Sequence, residues 1–350
     1  MFKKITDRKI KVALVGCGRI SKNHFGSIEK HADNVELVAV CETDRQLLSE
    51  MEEKFKVPAF HNYDDLLAKA NADLIILCTP SGMHPEMGIK AAEKGIHVIT
   101  EKPMGISLAA ADELVKACDA NQVQLFVVKQ NRLNPAIQLL RKAINKGRFG
   151  KIFSLNATVR WSRPQHYYDQ AKWRGTWEFD GGAFMNQASH YMDLIQWLGG
   201  PVDSVMAMTA TLDHNIETED MGTGIIRFRN GMLGTVEVTM NIFPRNLEGS
   251  ITVMGKKGTV KIGGIAVNKV EHWEFKDYED DDKLIQQCDT NPTSVYGFGH
   301  QGYLKNVIDV LHGIGEPETD GREGRKSLEI ILAMYESAKN GKRVPLPLKI

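Results

Sequence analysis

Apolar runs alternate with helix-like segments over roughly the first 130 residues of the chain. One run, 74–77, is continuously apolar, as expected of a strand that is covered on both faces. Strands and helices in alternation predict a doubly wound parallel sheet, whose ligands bind at the carboxyl ends of the strands. The predicted strands are Ile10–Val15, Val35–Cys41, Pro58–Phe60, Asp73–Cys78, His97–Thr100 and Val123–Val128.

The pattern changes to a period of two residues after Pro201. Apolar and polar positions alternate between turn signals such as Asn230-Gly231, which predicts an open, mostly antiparallel sheet with helices on one face. The predicted strands are Val202–Leu212, Gly222–Phe228, Met232–Asn241, Leu247–Gly255, Thr259–Ile262 and Val267–Phe275, and Gly302–Gly313 and Arg325–Gly341 are predicted helices.

These two patterns indicate an α/β chain of two domains. An N-terminal Rossmann-type doubly wound sheet, residues 1–131, is predicted to bind a dinucleotide. Residues 132–350 are predicted to form an α+β domain with a large open sheet. A family resemblance carried by motifs along the chain implies that this domain binds substrate and oligomerises. The last helix of this segment is a candidate to pack against the first domain.

The first apolar run ends in a turn that is typical of dinucleotide binding. Gly16 and Gly18 form a Gly-x-Gly, and Arg19 and Ile20 lead into a helix. The first glycine permits a tight turn, and the second lets the backbone approach a pyrophosphate at the helix N-terminus. Ser21 stands where the fingerprint normally has Gly or Ala.

An acidic residue follows the second apolar run. Glu42 lies 24 positions after Gly18, where an acid accepts the ribose hydroxyls of NAD and repels the 2′-phosphate of NADP. A solvated acid at a strand end is the alternative.

Polar residues also gather at the ends of the other predicted strands, which favours the interpretation that the sheet binds a dinucleotide. These segments are Thr79–His84, Glu101-Lys102 and Lys129–Arg132.

Charge and cysteine content exclude several classes of protein. Lys plus Arg and Asp plus Glu are each 44, so we expect no polyanion-binding surface and no nucleic-acid partner. The five cysteines contain no C-x-x-C pair, so we expect buried thiols in a reducing compartment and no metal. The N-terminus is charged and no apolar run is long enough to cross a bilayer, so we expect a cytoplasmic protein with no membrane partner.

The chain resembles the glucose–fructose oxidoreductase / inositol dehydrogenase family over nearly its whole length. The Gly-x-Gly turn, Cys78-Thr79-Pro80 with His84, and Glu101-Lys102-Pro103 carry the resemblance. A second signature spans 181–193, where His190 and Asp193 match the family pattern. The resemblance implies an NAD-dependent oxidoreductase in which Lys102 lies beside the nicotinamide and the reacting carbinol, and in which Pro103 is commonly cis.

One departure from the family pattern reduces the number of candidate substrates. Asn186 stands where inositol-type members carry an aspartate, and residues 160–177 with Asn186-Gln187 resemble the branch that oxidises UDP-N-acetyl-2-amino-2-deoxyglucuronate at the sugar C3. The branch implies a 3-keto product for surface polysaccharide (lipopolysaccharide, O-antigen) synthesis, and NADH recycling by 2-oxoglutarate in some members. The family also implies a homo-oligomer, a dimer or a tetramer. An inositol or free-sugar dehydrogenase is one alternative, and a non-catalytic NAD sensor is another.

Oxidation of a secondary alcohol requires a base for the hydroxyl proton, and two residues are candidates. Either His190 takes the proton while Lys102 orients and polarises the C–O bond, or the roles are reversed. Asn186, the third predicted catalytic residue, cannot titrate and can only donate to the sugar oxygen or to His190.

The resemblance and the side-chain chemistry together predict two sets of binding residues. Arginines suit the pyrophosphate and the uronic carboxylate, although surface ion pairs are the alternative, and aromatic side chains suit the uracil. The predicted cofactor-binding residues are Gly16, Gly18, Arg19, Ile20, Glu42, Thr79, Pro80, His84, Glu101, Lys102, Gln130, Trp173 and Arg174. The predicted substrate-binding residues are Lys102, Arg160, Arg163, Tyr168, Asn186, His190, Arg245, Tyr296 and His300.

Overall fold

The computed structural model describes residues 2–290 and 295–349. By contacts between residues the chain divides into two compact units. The first unit comprises Met1–Val128 and His300–Arg325, and the second comprises Lys129–Gly299 and Lys326–Ile350. The chain thus changes unit three times. The predicted assignment of 1–131 to the cofactor and of 132–350 to substrate and oligomer stays a prediction.

A six-stranded parallel sheet forms the core of the first unit. Its strands are β1 (Ile10–Val15), β2 (Val35–Cys41), β3 (Ala59–Phe60), β4 (Leu74–Leu77), β5 (His97–Thr100) and β6 (Leu125–Val127). The order β3-β2-β1-β4-β5-β6 confirms the doubly wound prediction, and the order reverses between β1 and β4, where such sheets bind ligands. The last strand is shorter at both ends than the predicted Val123–Val128.

Five helices connect these strands, and polar caps begin three of them. The helices are α1 (Ser21–Lys30), α2 (Arg45–Phe55), α3 (Tyr63–Lys69), α4 (His84–Glu93) and α5 (Leu108–Ala120). The side chains of Asp44, Asn62 and Ser107 accept hydrogen bonds from the first turns of α2, α3 and α5. Each satisfies backbone donors that a helix start leaves without a partner.

An eight-stranded, mostly antiparallel sheet forms the core of the second unit, as predicted. Its strands are β7 (Ile152–Arg160), β8 (Val202–Ala210), β9 (Met221–Phe228), β10 (Leu233–Thr239), β11 (Glu248–Gly255), β12 (Gly258–Gly263), β13 (Lys269–Phe275) and β14 (Val344–Pro345). The order is β13-β12-β11-β7-β10-β9-β8-β14, and only the β7–β10 pair among these is parallel. The alternating burial along β9 and β10 leaves one face exposed.

The remaining helices are α6 (Pro135–Asn145), α7 (Gln165–Asp169), α8 (Ser189–Gly199), α9 (Ile285–Cys288), α10 (Gly299–Leu311) and α11 (Gly321–Asn340). Helix α8 packs against β7 and β11 on the covered face of the sheet. Helix α11 begins four residues before the predicted Arg325, because the carboxylate of Asp320 accepts a hydrogen bond from the Glu323 amide and caps it. Among the residues the structure describes, no helix has the length and apolar content to cross a membrane.

Candidate active site

The Gly-x-Gly turn connects β1 to α1 in the first unit. Gly16 adopts φ of +86°, and a Cβ there would lie 2.8 Å from the carbonyl oxygen of Cys78, so only glycine fits. A Cβ on the exposed Gly18 would meet no described atom within 4 Å, which leaves open space beside the turn. The Ser21 hydroxyl donates to the Gly18 carbonyl at 2.7 Å and closes the turn.

Glu42 joins the end of β2 to that turn. Its Oε2 accepts from the Cys17 amide at 2.7 Å, and its Oε1 accepts from the Thr43 and Asp44 amides at 2.6 and 3.0 Å. An acid beside the open side of a Gly-x-Gly turn, followed by a helix N-terminus, fits a dinucleotide with a free ribose 2′-hydroxyl. Arg19 is exposed and Ile20 half-buried at the same turn.

His84 connects the ends of β4 and β5. Its ring nitrogens lie 2.8 Å from the Pro103 carbonyl oxygen and 2.9 Å from that of Thr79. Burial lowers the pKa of His84, and a neutral imidazole has one N–H and therefore donates to one of these carbonyls at a time. Thr79 and Pro80 are half-buried. His84 thus supports the segment that contains Lys102, and its predicted contact with the cofactor stays a prediction.

Glu101 lies in a buried cluster immediately before Lys102. Its Oε1 is 2.8 Å from His24 Nε2 and 3.6 Å from His300 Nε2, and its Oε2 accepts from the Lys102 amide at 3.1 Å. Although burial opposes ionisation, the hydrogen bond from His24 and the nearby imidazole of His300 hold the pKa of Glu101 well below its usual range. The Lys102–Pro103 peptide bond is cis. The cluster therefore fixes the backbone that presents Lys102.

The same three side chains are the one group of described residues that could hold a metal ion, since their ligand atoms lie within 4.8 Å of one another. The 2.8 Å separation of His24 and Glu101 is that of a hydrogen bond, and we interpret the cluster in that way. The expectation of no metal stays a prediction. So does the predicted substrate contact of His300, which the structure places against Glu101.

His190 lies in the first turn of α8, in the second unit, and is 9% exposed. Gln130 Nε2 is 3.1 Å from His190 Nε2, so the amide can donate to a neutral imidazole. Asp193, one turn along α8, accepts two hydrogen bonds from Arg132 at 2.6 and 2.7 Å, and both side chains are buried. This ion pair anchors the short helical turn Gln130–Leu133 and so positions Gln130.

Asn186 belongs to a π-helical turn, Ala183–Gln187, that leads into α8. Its side-chain amide donates to the buried carboxylate of Asp180, a contact that the sequence does not predict. The predicted donation to the sugar oxygen or to His190 stays a prediction. The other carboxylate oxygen of Asp180 accepts from the Gly175 amide at 2.6 Å. Asn186 is half-buried, so its side chain remains accessible to a ligand.

Glu219 and Tyr335 hold the same π-helical turn through hydrogen bonds to its backbone. Glu219 Oε1 accepts from the Phe184 amide at 2.9 Å and from the Tyr335 hydroxyl at 2.8 Å. The Tyr335 oxygen in turn accepts from the Gly182 and Met185 amides at 3.2 Å each. Burial raises the pKa of Glu219 to about 7. A Cβ on Gly182 would lie 1.6 Å from Glu219 Oε2, which requires glycine there.

Arginine and aromatic side chains interleave in the loop that follows β7. The guanidinium of Arg163 lies 5.4 Å, and that of Arg174 4.2 Å, from the ring centre of Tyr167. Arg163 Nε donates to Gln187 Oε1 at 3.2 Å, which connects this cluster to the π-helical turn. The guanidinium of Arg174 also lies 5.3 Å from the ring centre of Trp173.

Four other predicted substrate residues lie elsewhere in the second unit. Arg160 is paired on the sheet with Glu237 at 2.6 Å and with Glu248 at 3.0 Å, which is the surface ion pairing named as the alternative. Tyr168 is buried, and burial raises the pKa of its phenol. Arg245 is exposed and Tyr296 half-buried. Their roles toward a substrate stay predictions.

Four residues of these clusters were not predicted from the sequence, and they are His24, Asp180, Glu219 and Tyr335. None lies in a motif at diagnostic spacing, and Glu219 and Tyr335 are separated by 116 positions. Gly181-Gly182 was the available signal. A pair of glycines requires a close neighbour or unusual backbone, and Glu219 is that neighbour.

Family comparisons agree with this arrangement. Residues 10–129 match the model of an oxidoreductase family with an NAD-binding Rossmann fold, and residues 141–346 match the C-terminal alpha/beta domain of the same family. The chain belongs to the Gfo/Idh/MocA oxidoreductase family. It is therefore an NAD-dependent oxidoreductase, and the resemblance to glucose–fructose oxidoreductase and inositol dehydrogenase is confirmed.

Two solved structures are similar to the chain over nearly its whole length. The WlbA dehydrogenase from Bordetella pertussis, in complex with NADH and UDP-GlcNAcA, is 54% identical with a TM-score of 0.96, covering 99% of this chain and 100% of that one. The WlbA dehydrogenase from Chromobacterium violaceum, in complex with the same two molecules, is 53% identical with a TM-score of 0.96, covering 100% and 99%. Myo-inositol 2-dehydrogenase of Thermotoga maritima is 27% identical over 96% of this chain and 98% of that protein.

Proposed function

We propose that this oxidoreductase converts the C3 hydroxyl of UDP-N-acetyl-2-amino-2-deoxyglucuronate (UDP-GlcNAcA) to a ketone. The similarity to two dehydrogenases that were solved with NADH and UDP-GlcNAcA carries the proposal, since each covers at least 99% of this chain at 53% identity or more. Asn186 in the π-helical turn supports it, because the resemblance associates asparagine at this position with the nucleotide-sugar branch.

The described residues supply the groups that the reaction needs. NAD, when bound, accepts the hydride that leaves C3. The hydroxyl proton passes to a neutral base as the hydride leaves, and His190 is one such group once its Nε2 exchanges the Gln130 amide for the hydroxyl. Lys102 is the other, presented by a backbone that Glu101 fixes. Either lysine or histidine must be unprotonated at the start of the reaction.

Arg174 supports an anionic substrate or cofactor. Within the part of the chain that the structure describes, its Nε and Nη1 are buried and have no hydrogen-bond partner. A buried guanidinium nitrogen without a partner is costly, and a phosphate or carboxylate oxygen would satisfy it. We include Arg163 in the same role. Its guanidinium lies beside the ring of Tyr167, and its Nε donates to Gln187 of the π-helical turn.

The place of the reaction follows from its product. A 3-keto sugar nucleotide is a substrate for a transaminase, so we propose a step in the synthesis of an amino sugar for surface polysaccharide such as O-antigen, in the cytoplasm. We further propose that 2-oxoglutarate can reoxidise NADH that stays bound.

The test is a single-turnover reaction of the purified protein with NAD and UDP-GlcNAcA. We expect absorbance near 340 nm, a property of nicotinamide, to rise with formation of the keto sugar, and 2-oxoglutarate to reverse the rise. Inositol and free sugars form the comparison panel. A panel member that is oxidised faster than UDP-GlcNAcA would replace the proposal with the inositol or free-sugar alternative.

A further inference from the structure

Asp180 is a buried carboxylate whose two oxygens serve different segments of the second unit. It is 2% exposed. Oδ1 accepts from the side-chain amide of Asn186, and Oδ2 accepts from the backbone amide of Gly175 at 2.6 Å. Burying an ionised carboxylate costs free energy unless hydrogen bonds compensate it, so these contacts are part of why the residue is tolerated there.

The contact with Asn186 determines how its amide is turned. An asparagine side chain has a donor end, Nδ2, and an acceptor end, Oδ1, whereas an ionised carboxylate accepts only. Beside Asp180 the donor end must therefore face the carboxylate. The acceptor end, Oδ1, then points away from Asp180. An asparagine so held offers an oxygen, as an aspartate would, without a second charge.

The contact with Gly175 connects the same carboxylate to the arginine and aromatic loop. Gly175 has φ of +69°, and a Cβ there would lie 2.7 Å from Ile216, so the turn requires glycine. Arg174 precedes this glycine directly. One carboxylate thus fixes both the orientation of Asn186 and the turn that follows Arg174.

We propose that Asp180 is a positioning residue that makes Asn186 a hydrogen-bond acceptor for the sugar nucleotide. The inference rests on the proposed function for the identity of the sugar. It assigns Asn186 to accept from a donor of the substrate, and it assigns the fixed turn at Gly175 to hold Arg174 in its orientation.

Exchange of the two side chains tests the proposal. In Asp180→Asn the amide of Asn186 is no longer oriented, and we expect kcat/KM for UDP-GlcNAcA to fall about tenfold or more. In Asn186→Asp two carboxylates meet, so one pKa rises and the pH profile of activity gains an ionisation in addition to that of the catalytic base. In the double exchange the carboxylate at 186 again offers an oxygen beside an amide at 180. We expect kcat/KM to recover to within about threefold of wild type.

Controls separate this role from a loss of folding. Asp213→Asn alters an exposed aspartate of the same unit and should leave kinetics unchanged. Hydrogen exchange at the Gly175 amide should accelerate in Asp180→Asn and not in the control, whatever the substrate is. Full activity of Asp180→Asn, or a double exchange no better than the worse single variant, would overturn the proposal. Absence of turnover in the wild type would instead reject the proposed function, with the hydrogen-exchange result still deciding whether Asp180 holds Gly175.

Discussion

The pairing of Gln130 with His190 bears directly on which residue is the base. The sequence predicts that Gln130 binds the cofactor, and the structure also places its side-chain amide 3.1 Å from the His190 imidazole. Donation from Gln130 favours a neutral imidazole whose Nε2 is unprotonated. To act as the base, that nitrogen must exchange the Gln130 amide for the substrate hydroxyl. Gln130 is itself held by the buried turn that Arg132 and Asp193 fix.

We expect Gln130→Glu to move the pH dependence of the reaction. A carboxylate at this distance stabilises the imidazolium and raises the pKa of His190. If His190 is the base, it must be neutral, so the acid limb of the kcat/KM profile moves to higher pH by about one unit or more. Steady-state rates between pH 5 and 10 measure this. Gln46→Glu, on the exposed side of α2, introduces the same charge as a control. An unmoved acid limb would contradict His190 and favour Lys102 as the base.

Side chains in recognisable motifs were the part of the site that the sequence could predict. Lys102, Asn186 and His190 stand in patterns whose spacing is fixed by a strand end or a helix turn. Asp180 and His24 have no such pattern, because their partners are brought to them by tertiary packing. The contact of Asn186 with Asp180, six positions before it, was not predicted for the same reason.

At the scale of elements, hydrophobic periodicity predicted strands and helices well and their ends less well. The period-two strands of the second sheet appear within a few residues of their predicted bounds, because alternation is a property of the whole strand. Helix ends depend on single caps, and Asp320 starts α11 earlier than periodicity suggests. The π-helical turn has no periodic signal at all. It exists because Glu219 and Tyr335 bind the amides of its first residues.

Glu219 gives this element a predicted dependence on pH. Its pKa is raised from 4.5 to about 7 by burial, so the folded state holds a proton that the unfolded state has lost over this range. The contribution to stability is therefore present below about pH 4.5 and is lost as pH rises through 7, by roughly 2 to 3 kcal/mol between pH 5 and 8.

Glu219→Gln removes that titration while keeping an oxygen for the Phe184 amide and the Tyr335 hydroxyl. We expect the Tm of this variant, relative to wild type, to rise by several degrees between pH 5 and pH 8 in thermal melts. Glu274→Gln, at an exposed position of β13, is the matched control and should show no such change. A Tm difference that is the same at both values of pH would show that Glu219 does not titrate in this range.

For the whole molecule, the fold class and the family followed from the sequence, while the course of the chain between units did not. The alternation of strands and helices and the spacing of motifs are local properties, so they can be recognised without knowing the tertiary structure. The assignment of His300–Arg325 to the first unit depends on packing, since α10 buries Leu304, Val307 and Ile308 there. Neither the hydrophobic period of a helix nor its composition indicates which apolar surface the helix packs against.

One face of the large sheet carries exposed apolar side chains on neighbouring strands. Met208 on β8 is 75% exposed, Ile225 on β9 is 57% exposed and Leu233 on β10 is 53% exposed. A contiguous apolar patch of this kind marks an interface more often than a solvated surface. The same face carries both signs of charge, in Arg160 with Glu237, so it can face a copy of itself across a two-fold axis. We therefore expect a second copy of the chain to cover this sheet, in the homo-oligomer that the family resemblance implies.

Ile225→Lys places a charge at the centre of that patch, and a self-associating sheet would bury two such charges against each other. We expect the molar mass measured by light scattering after size exclusion to fall by about half, because an unpaired buried charge costs several kcal/mol per copy. Ile314→Lys, at a 63% exposed position of the first unit, introduces the same charge away from the sheet and should leave the mass unchanged. A wild-type mass equal to one chain, or an assembly that survives Ile225→Lys, would contradict an oligomer built on this face.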